Sequence, residues 1–422
     1  MANLLDQASI VLTPTAYDNG SMLSVKPENG DGDFTFSRAS SATRVNANGL
    51  IESVVSEIPR VDYTDSSCGS WLLEPQATNL VITSDSGVYG SSPASEILET
   101  SPDGTNNAVR PVPSTGSNRY QETIAGGVYS SGQKLTYSWY RKRISTPVDD
   151  TFVGDLRINV LVNITVFEAT TQIQSNINGY DRFQVVIQIT DGSLSSIFRA
   201  YFGAIIGTGN SSVAYWGHQY EIGGYATSII PTSGTTVTRN QDLATNSGNS
   251  TLINSSEGVF YVEIAALAEK TLVRYITISD GTASNRIIIY ITDVGVIQFD
   301  VIVGGVTQAA KTMTGQTTTN FNKLAVSYKE NDIRFYINGV KVKNDTTALA
   351  FPINTLNVIN FAASNGTDSV FYGKTKALAV FKTALTDAEL ISLTTDINPT
   401  TNHIITENED FIMTESGDHI VT

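Results

Sequence analysis

The sequence has very few residues that could form a crosslink or hold a soft metal ion. Its 422 residues include one cysteine, Cys68, and three histidines, His218, His403 and His419. A single cysteine rules out an intrachain disulfide and a thiolate metal cluster. The histidines are too dispersed for the ligand spacing of a zinc site, and no P-loop or dinucleotide fingerprint is present. We therefore expect neither a metal nor a cofactor.

Charged residues are also scarce, and the positive ones are outnumbered. They make up 16% of the chain, with 26 Lys and Arg against 41 Asp and Glu, for a net charge of -15. Nucleic-acid binding requires clustered Lys and Arg that displace phosphate counterions. The single basic run, Tyr140 to Arg143, is predicted to be a solvated strand end. An anionic bilayer repels such a chain, so we expect no nucleic-acid partner and no membrane insertion.

Long apolar runs and export signals are missing as well. No stretch approaches the roughly 18 apolar residues of a membrane span. The N-terminal stretch MANLLDQASIVLTPTAYDNG lacks the basic and apolar regions of a signal peptide. Ser, Thr, Asn and Gly replace the missing charges, as is typical of extracellular β-proteins. A virion component, assembled in the host cytoplasm and released by lysis, combines both properties, but a soluble cytoplasmic protein fits the missing signal equally well.

What the sequence does contain is a repeated strand pattern. Apolar residues alternate or form short β-branched blocks between Gly, Asn, Asp and Ser clusters, as in RFQVVIQIT, RIIIYIT, VIQFDVIV and DIRFYINGVKV. This pattern predicts strands joined by turns rather than βαβ units. The length predicts several domains at roughly 100–200 residues each. We expect an all-β fold with two tandem jelly-roll or β-sandwich domains.

Four sections follow from the spacing of these strands. We predict an irregular N-terminal organising segment at 1–78, a first strand domain at 79–245, a second at 246–395 and an acidic tail at 396–422. The second domain ends in the one clear helix pattern, where Thr386 is a good N-cap and Glu389 completes a capping box. The tail repeats every eight residues (HIITENED, FIMTESGD, HIVT). Such units must pack on something, for example a neighbouring subunit, unless the tail is simply frayed.

A histidine followed by an acid suggests an active site in YWGHQYEIGG, which begins at Tyr215. In a strand, however, residues three apart point to opposite faces, which separates His218 from Glu221. Strict alternation places Tyr215, Gly217, Gln219 and Glu221 on one face and Trp216, His218, Tyr220 and Ile222 on the other. We therefore interpret this stretch as the closing strand of the first domain, and its Trp216, like Trp139, as a core residue.

Catalytic patterns are weak throughout. A glycosidase needs two carboxylates that flank the scissile bond. In FYVEIAALAEK, Glu263 and Glu269 lie six residues apart with no Asp between them, unlike the Glu-x-Asp-x-x-Glu strand of jelly-roll β-glucanases. No Gly-x-Ser-x-Gly elbow is present. We expect no enzyme, although a polysaccharide-degrading spike with an active site between subunits stays open.

The second domain resembles a known family in the order of its elements. EGVFYVEIAAL, FNKLAVSYKENDIRFYINGVKV and FYGKTKALAVFKTALTDAELISL are similar to the concanavalin A-like, laminin-G-like jelly roll. The resemblance implies that fold and a tendency to bind glycans. GQKLTYSWYRKR in the first domain resembles a strand of jelly-roll carbohydrate-binding modules. Both resemblances imply carbohydrate binding, and the concanavalin A-like resemblance does not imply catalysis.

The N-terminal segment resembles the start of many phage structural proteins. FTFSRASSATRVNANGLIESV, IPRVDY and WLLEPQATNL carry this resemblance. It implies a virion appendage, a head or tail fibre, that forms a homotrimer and attaches to other virion structural proteins. Three arginines lie near three acids in this segment, namely Arg38, Arg44, Arg60, Glu52, Asp62 and Glu74. We expect them to pair with one another or with backbone carbonyls, with an anion site as the alternative.

Candidate glycan-binding residues are few. Tyr120 and Tyr180 lie in polar turn contexts, where an aromatic face could stack on a sugar ring. The loop ASNGTDS offers Asn365 and Asp368 for sugar hydroxyls, or for calcium. We expect adhesion to host surface polysaccharide. A ligand-free capsid or tail decoration protein and a bacterial surface adhesin remain alternatives.

Overall fold

The computed structural model of the protein describes residues 4–14, 21–84, 95–112, 120–144, 157–158, 164–189, 195–202, 213–269 and 272–395. Within these residues it contains 28 strands, a short 3-10 helix at Leu4–Gln7 and one α-helix, α1, at Asp387–Thr394. The predicted all-β class is confirmed. The predicted tail at 396–422 lies outside the described residues.

The strands up to residue 245 are β1 (Ala8–Leu12), β2 (Thr35–Ser37), β3 (Ala42–Val45), β4 (Ile51–Val54), β5 (Arg60–Asp62), β6 (Ser70–Leu73), β7 (Ala77–Asn79), β8 (Ser95–Glu99), β9 (Ala108–Val112), β10 (Tyr120–Val128), β11 (Lys134–Arg143), β12 (Arg157–Ile158), β13 (Ile164–Ile177), β14 (Tyr180–Ile189), β15 (Ser195–Phe202), β16 (Val213–Ile222), β17 (Val237–Arg239) and β18 (Leu243–Thr245). The later strands are β19 (Glu257–Ala266), β20 (Arg274–Ser279), β21 (Arg286–Ile291), β22 (Ile297–Val303), β23 (Val306–Met313), β24 (Asn322–Lys329), β25 (Ile333–Ile337), β26 (Val340–Asp345), β27 (Val358–Asn360) and β28 (Gly373–Phe381).

The chain forms two compact units that are not simply consecutive. Unit 1 comprises Met1–Ala39, Ser56–Pro75 and Gln241–Thr422, and unit 2 comprises Ser40–Val55 and Gln76–Asn240. These units differ from the predicted boundaries, because the segment 1–78 is divided between them rather than forming a section of its own. The physical reason lies in its short apolar strands. β1 pairs with β28, and β5 and β6 extend the same sheet, so these strands help to complete the core of unit 1.

Unit 1 is a sandwich of two antiparallel sheets. The larger has eight strands, in the order β26-β25-β24-β19-β28-β6-β5 with β1 also on β28, and the smaller has the order β23-β22-β21-β20-β27. Alternate residues of both sheets meet in one core. Phe299 of the smaller sheet stacks on Phe335 of the larger, with ring centroids 5.0 Å apart. Since alternate residues fill this core, the residues between them face away from it.

The other side of the larger sheet is covered by α1. Leu385 and Leu390 are buried there among Val259, Tyr336 and Phe381. The predicted capping box is confirmed, because Thr386 accepts from the Glu389 backbone and the Glu389 side chain accepts from Thr386. This cap fixes the start of a helix that is too short to be stable without its packing.

Unit 2 is built on a six-stranded sheet in the order β13-β14-β11-β16-β9-β8, with a three-stranded sheet in the order β10-β15-β12. The sheet buries apolar residues on both faces: Trp139 lies in one cluster and Trp216 in another. Both tryptophans are 4% exposed, so their predicted place in the core is confirmed.

The predicted alternation along β16 is wrong across its middle, because the strand contains a bulge. Ser138 pairs with Gln219 and Tyr140 pairs with Trp216. The single residue Trp139 of β11 therefore lies opposite two residues of β16, Gly217 and His218. Gly217 absorbs the extra residue with a φ of +65°. A Cβ at this position would lie 2.8 Å from Tyr140 Cδ2. The bulge exchanges the faces, so that Tyr215 packs with Tyr220, while Trp216 lies in the other cluster.

Candidate functional site

The smaller sheet of unit 1 presents a row of side chains on the face that points away from the core. Ile287, Ile289 and Ile291 of β21 face the core, so Tyr290 faces outward. The row is defined by the strand register, in which each residue is directly opposite the next across β20, β21, β22 and β23. Its members are Tyr275, Tyr290, Gln298 and Thr312.

Two tyrosines form the aromatic part of this outward surface. The rings of Tyr275 and Tyr290 lie 5.0 Å apart at an angle of 65°, an edge-to-face contact. Both side chains are partly exposed. An edge-to-face pair leaves ring surface available to a third partner, and partly exposed aromatic faces suit the apolar side of a sugar ring.

A carboxyl group lies beside the tyrosine pair. Tyr290 Oη donates a hydrogen bond to Asp300 Oδ2 at 3.0 Å. Burial raises the pKa of Asp300 above its ordinary value, and the bond from Tyr290 and the charge of Arg286 offset this only in part. Burial and the Asp300 carboxylate also raise the pKa of Tyr290. The surface therefore holds a half-buried acid whose environment is shaped by the neighbouring tyrosine.

Acceptor atoms remain available on this surface. Gln298 Nε2 donates to Thr312 Oγ1, which leaves Gln298 Oε1 as an acceptor. Asp300 uses Oδ2 for Tyr290, which leaves Oδ1. Among the described residues, none donates to either of these two oxygens. A ligand with hydroxyl groups could therefore bind here without breaking an existing hydrogen bond.

The floor of the surface is buried, and one side is bounded by the predicted loop. Thr277 is buried and its hydroxyl donates to Ala362 O at 3.0 Å. Ile288, opposite Thr277, is also buried. Tyr275 N donates to Ser369 O at 2.8 Å, which joins the end of the loop 363–369 to the tyrosine row. We call the outward side of β20–β23 together with this loop the tyrosine surface.

The two loop residues proposed from the sequence are brought together. Asn365 Nδ2 donates to Asp368 Oδ2 at 2.7 Å, and Asn365 Oδ1 accepts from the backbone of Thr367 and Asp368, both at 3.1 Å. Both side chains are exposed. These bonds shape the loop itself, so that a sugar or calcium ion would compete with them. Their role in binding stays a prediction.

The two tyrosines proposed from the sequence have different outcomes. Tyr180 is fully buried, at 0% exposed, in a core cluster of unit 2, and Lys142 Nζ lies 5.3 Å from its ring centre. It cannot stack on a sugar, so this expectation is corrected: its ring packs with Trp216 and Ile177 instead of projecting from the turn. Tyr120 is the first residue of β10, and the structure describes only its backbone position.

The residues of the tyrosine surface were missed at the sequence level, although a signal exists. In RYITIS and RIIIYI, the isoleucines at alternate positions form the core, so the tyrosines between them must face outward. In VIQFDVIV, Asp300 likewise lies between two residues that form the core, and must face outward. The pattern identified strands, but only the register shows that these outward residues are neighbours.

His218 and Glu221 lie on opposite faces of β16, as predicted, and both are buried. Tyr137 Oη and His218 Nδ1 are 2.8 Å apart, and burial lowers the pKa of His218 to about 3. Glu221 accepts hydrogen bonds from Gln219 Nε2 at 2.6 Å and from Thr227 N at 3.0 Å. Burial raises the pKa of Glu221, and the hydrogen bonds and the charge of Arg239 oppose this. The two groups serve packing rather than a shared active site.

The arginines of the N-terminal segment are paired, as predicted. Arg44 Nη2 lies 2.7 Å from Glu52 Oε1 in unit 2, and Arg60 Nη1 lies 2.7 Å from Glu74 Oε2 in unit 1. The sequence interpretation missed Asp242, which binds both Arg60 and Arg38. Burial lowers the pKa of Arg60, but the carboxylates of Asp242 and Glu74 outweigh it and hold the pKa above its ordinary value.

Asp62 takes a different partner from the one expected. Lys374 Nζ lies 3.5 Å from Asp62 Oδ1 and also binds Asp65. Burial lowers the pKa of Lys374, and the two carboxylates outweigh burial and raise it. These pairs hold irregular segments of unit 1 in place, and they leave no open anion site at the arginines named here.

The acids considered for catalysis are not arranged as a pair on one strand. Glu263 lies on β19, outside the core, where Tyr261 Oη is 3.5 Å from its Oε2. Glu269 is exposed beyond the end of β19. Among the described residues, no group of three or more His, Cys, Asp or Glu side chains could hold a metal ion.

Comparison with known proteins places part of unit 1 in context. Residues 259–391 match the model of the concanavalin A-like lectin/glucanases superfamily. No curated protein is significantly similar in sequence to this chain. In the described part of the chain, no helix has the length and apolar character needed to cross a membrane.

Several solved structures are similar at low overlap. The CBM40 of the Ruminococcus gnavus IT-sialidase has a TM-score of 0.31 and 17% identity, and the match covers 36% of this chain and 94% of that one. A leech intramolecular trans-sialidase has a TM-score of 0.29 and 20% identity, with 38% and 27% covered. The binding domain of botulinum neurotoxin serotype G has a TM-score of 0.29 and 15% identity, with 36% and 39% covered. Similarity at this level carries no conclusion about function.

Proposed function

We propose that the protein is a non-catalytic adhesin that binds glycans on a host surface through the tyrosine surface of unit 1. The observation that carries this proposal is the partly exposed pair Tyr275 and Tyr290 beside the free acceptor oxygens of Asp300 and Gln298. A few convergent polar groups next to aromatic rings are usual components of a small-ligand site.

The chemistry of the surface suits a weak sugar site. A pyranose ring can place its apolar face on tyrosine while its hydroxyl groups donate to carboxyl or amide oxygens. A surface of two rings and two acceptors binds a single sugar weakly. Many copies on one particle raise the avidity without any new contact, provided that the geometry allows simultaneous binding.

The particle in this proposal is a virion. The N-terminal segment resembles the start of phage structural proteins, and the low-charge composition suits an exposed appendage. In this view the protein forms a homotrimer, attaches to other virion structural proteins and binds host polysaccharide. Light scattering on the full chain and on a chain that ends at Thr395 tests the assembly. A trimer that becomes a monomer on truncation supports a fibre, whereas a monomer in both cases contradicts it.

Hydrolysis of polysaccharide is the second candidate, because the raised pKa of Asp300 is a property of catalytic acids. A hydrolase also needs a second carboxylate at the scissile bond, for which a neighbouring subunit would have to provide the group. A reducing-end assay on bound polysaccharide decides between the two. Products that form with the full chain and not with Asp300→Asn would show that the function is hydrolysis and not adhesion alone.

The direct test of adhesion uses Tyr275→Ala and Tyr290→Ala in the full chain, assayed by affinity electrophoresis in gels that contain polysaccharide. Each loss of a stacking ring should weaken binding about tenfold. Phe321→Ala is the matched control, since it removes a partly exposed ring of unit 1 from outside the tyrosine surface. Equal binding by all four proteins, with unchanged melting temperatures, would contradict the proposed site. A ligand-free decoration protein would bind none of the polysaccharides.

A further inference from the structure

The outward positions of β20–β23 carry only two ionisable charges. Besides the tyrosine row, the register places Thr277, Ser279, Ile288, Ile302, Ala310 and Thr307 on this side, together with Asp300 and Arg286. One acid and one base make the strand surface neutral in sum. Asp368 of the adjoining loop adds one further acid.

The acid and the base are not equally placed on this surface. Asp300 lies in the next row to the tyrosines and is bound directly by Tyr290. Arg286 lies one row further away, opposite Ile302 and Ser279, at the far end of β21 from Tyr290. A ligand that stacks on the rings therefore meets the carboxyl group before it meets the guanidinium group.

The charged group nearest the rings is an acceptor. Asp300 Oδ1 and Gln298 Oε1 have no donor among the described residues, and Tyr290 Oη already donates to Asp300. The donors that remain beside the rings, the second hydrogen of Gln298 Nε2 and the hydroxyl group of Tyr275, are neutral. A sugar hydroxyl satisfies such acceptors. A carboxylate, sulfate or phosphate has no hydrogen to donate, and it would be placed near Asp300 on a protein of net charge -15.

We infer that the tyrosine surface selects neutral glycans, whose hydroxyl groups donate to Asp300 and Gln298, over glycans that carry anionic groups. This inference rests on the proposed glycan binding and specifies the class of ligand. Asp300 acts as the specificity residue in two ways. It accepts a hydroxyl group of the neutral ligand, and its negative charge repels an anionic one.

Matched pairs of probes test the inference with the full-length chain. Dextran and carboxymethyl-dextran form one pair, and lactose and 3′-sialyllactose form a second. They are measured by affinity electrophoresis and by saturation-transfer NMR respectively. We expect the neutral member of any bound pair to bind at least about fivefold more tightly, since one unpaired acceptor or one repelled charge corresponds to roughly that factor.

Substitutions at Asp300 separate its two effects. Asp300→Ala should weaken neutral binding about tenfold, because it removes an acceptor. Asp300→Asn keeps one carbonyl acceptor and removes the charge, so it should change neutral binding little and narrow the preference over the anionic probe. Lys329→Gln removes an exposed charge from the larger sheet, outside the tyrosine surface, and as the control it should not reduce neutral binding.

The outcomes distinguish this inference from the proposal beneath it. If no probe binds and a wider set of polysaccharides also fails to bind, the proposed function is wrong and the inference fails with it. If only anionic probes bind, and Arg286→Gln abolishes that binding, glycan binding stands and the neutral preference is overturned. Neutral binding that Asp300→Ala leaves intact, in a protein with native melting temperature, would overturn the role of Asp300.

Discussion

Unit 1 and unit 2 each pair a tyrosine hydroxyl with an ionisable side chain on a β-sheet, and the two pairs have opposite properties. In unit 2, Tyr137 meets His218 at 2.8 Å, and the two side chains are 2% and 6% exposed. In unit 1, Tyr290 meets Asp300 at 3.0 Å, and both are partly exposed. The residue types resemble an active site more closely in unit 2. The difference in exposure, however, makes the pair in unit 2 part of a core and the pair in unit 1 part of a surface.

Burial also explains the different electrostatics of the two pairs. It lowers the pKa of His218 to about 3, so the imidazole stays neutral and serves as a hydrogen-bond partner. Burial raises the pKa of Asp300, and there the hydrogen bond from Tyr290 and the charge of Arg286 oppose the shift. A perturbed pKa is thus a guide to function only where a ligand can reach the group.

The largest contrast should appear when each ionisable partner is truncated. His218→Ala leaves a cavity and the buried Tyr137 hydroxyl without this partner, so we expect the free energy of unfolding to fall by about 3 kcal/mol. Asp300→Ala at the surface should lower it by less than about 1 kcal/mol. Urea denaturation of both variants measures the difference. Equal losses would show that the two pairs do not differ in the way described.

Acid should sharpen the contrast through His218. Its pKa in the folded chain, about 3, lies below the value of 6.5 for a free imidazole. Between these values the unfolded state binds a proton that the folded state does not bind, so stability is lost as the pH falls below 6.5. The expected slope is roughly 1 kcal/mol per pH unit. Unfolding followed by tyrosine and tryptophan fluorescence from pH 7 to pH 4 measures it, with His218→Gln as the variant that should lack this contribution to the slope.

The smallest expected effects come from removing the tyrosine hydroxyl groups. Tyr137→Phe should destabilise unit 2 by about 1 kcal/mol, since it removes the hydrogen bond between the Tyr137 hydroxyl and the buried imidazole of His218. Tyr290→Phe should change stability by less than about 0.5 kcal/mol. It should also raise the pKa of Asp300, because the bond from Tyr290 lowers that pKa in the intact protein. Carbon-13 NMR titration of the Asp300 carboxyl group measures the shift, and an unchanged pKa would contradict the described hydrogen bond.

The sequence predicted the features that depend on local spacing. Alternating isoleucines in RIIIYIT gave a strand, and Thr386 with Glu389 gave the helix start, because both signals operate within a few residues. The separation of His218 from Glu221 was predicted for the same reason. The faces predicted for the residues before Gly217 in β16 were wrong, since the extra residue at Gly217 moves each of those residues to the opposite face of the sheet.

Features that join distant parts of the chain could not be read from spacing. Asp242 binds Arg38 and Arg60 from about 200 and 180 positions away, and nothing local to the arginines indicates it. The tyrosine surface depends on the register of four strands, which turns and packing determine together. Tyr180 was misjudged because a polar turn says little about whether the first residue after it points inward.

The interleaved path of the chain has a consequence for the order in which the protein can fold during synthesis. Unit 2 comprises residues 40–55 and 76–240, whereas β1 of unit 1 pairs with β28, the last strand in the described part of the chain. The ribosome therefore releases the partners of unit 2 well before unit 1 can close. An isolated fragment that starts at residue 246 would lack β1, β5, β6 and Asp242, and would leave one side of β28 unpaired.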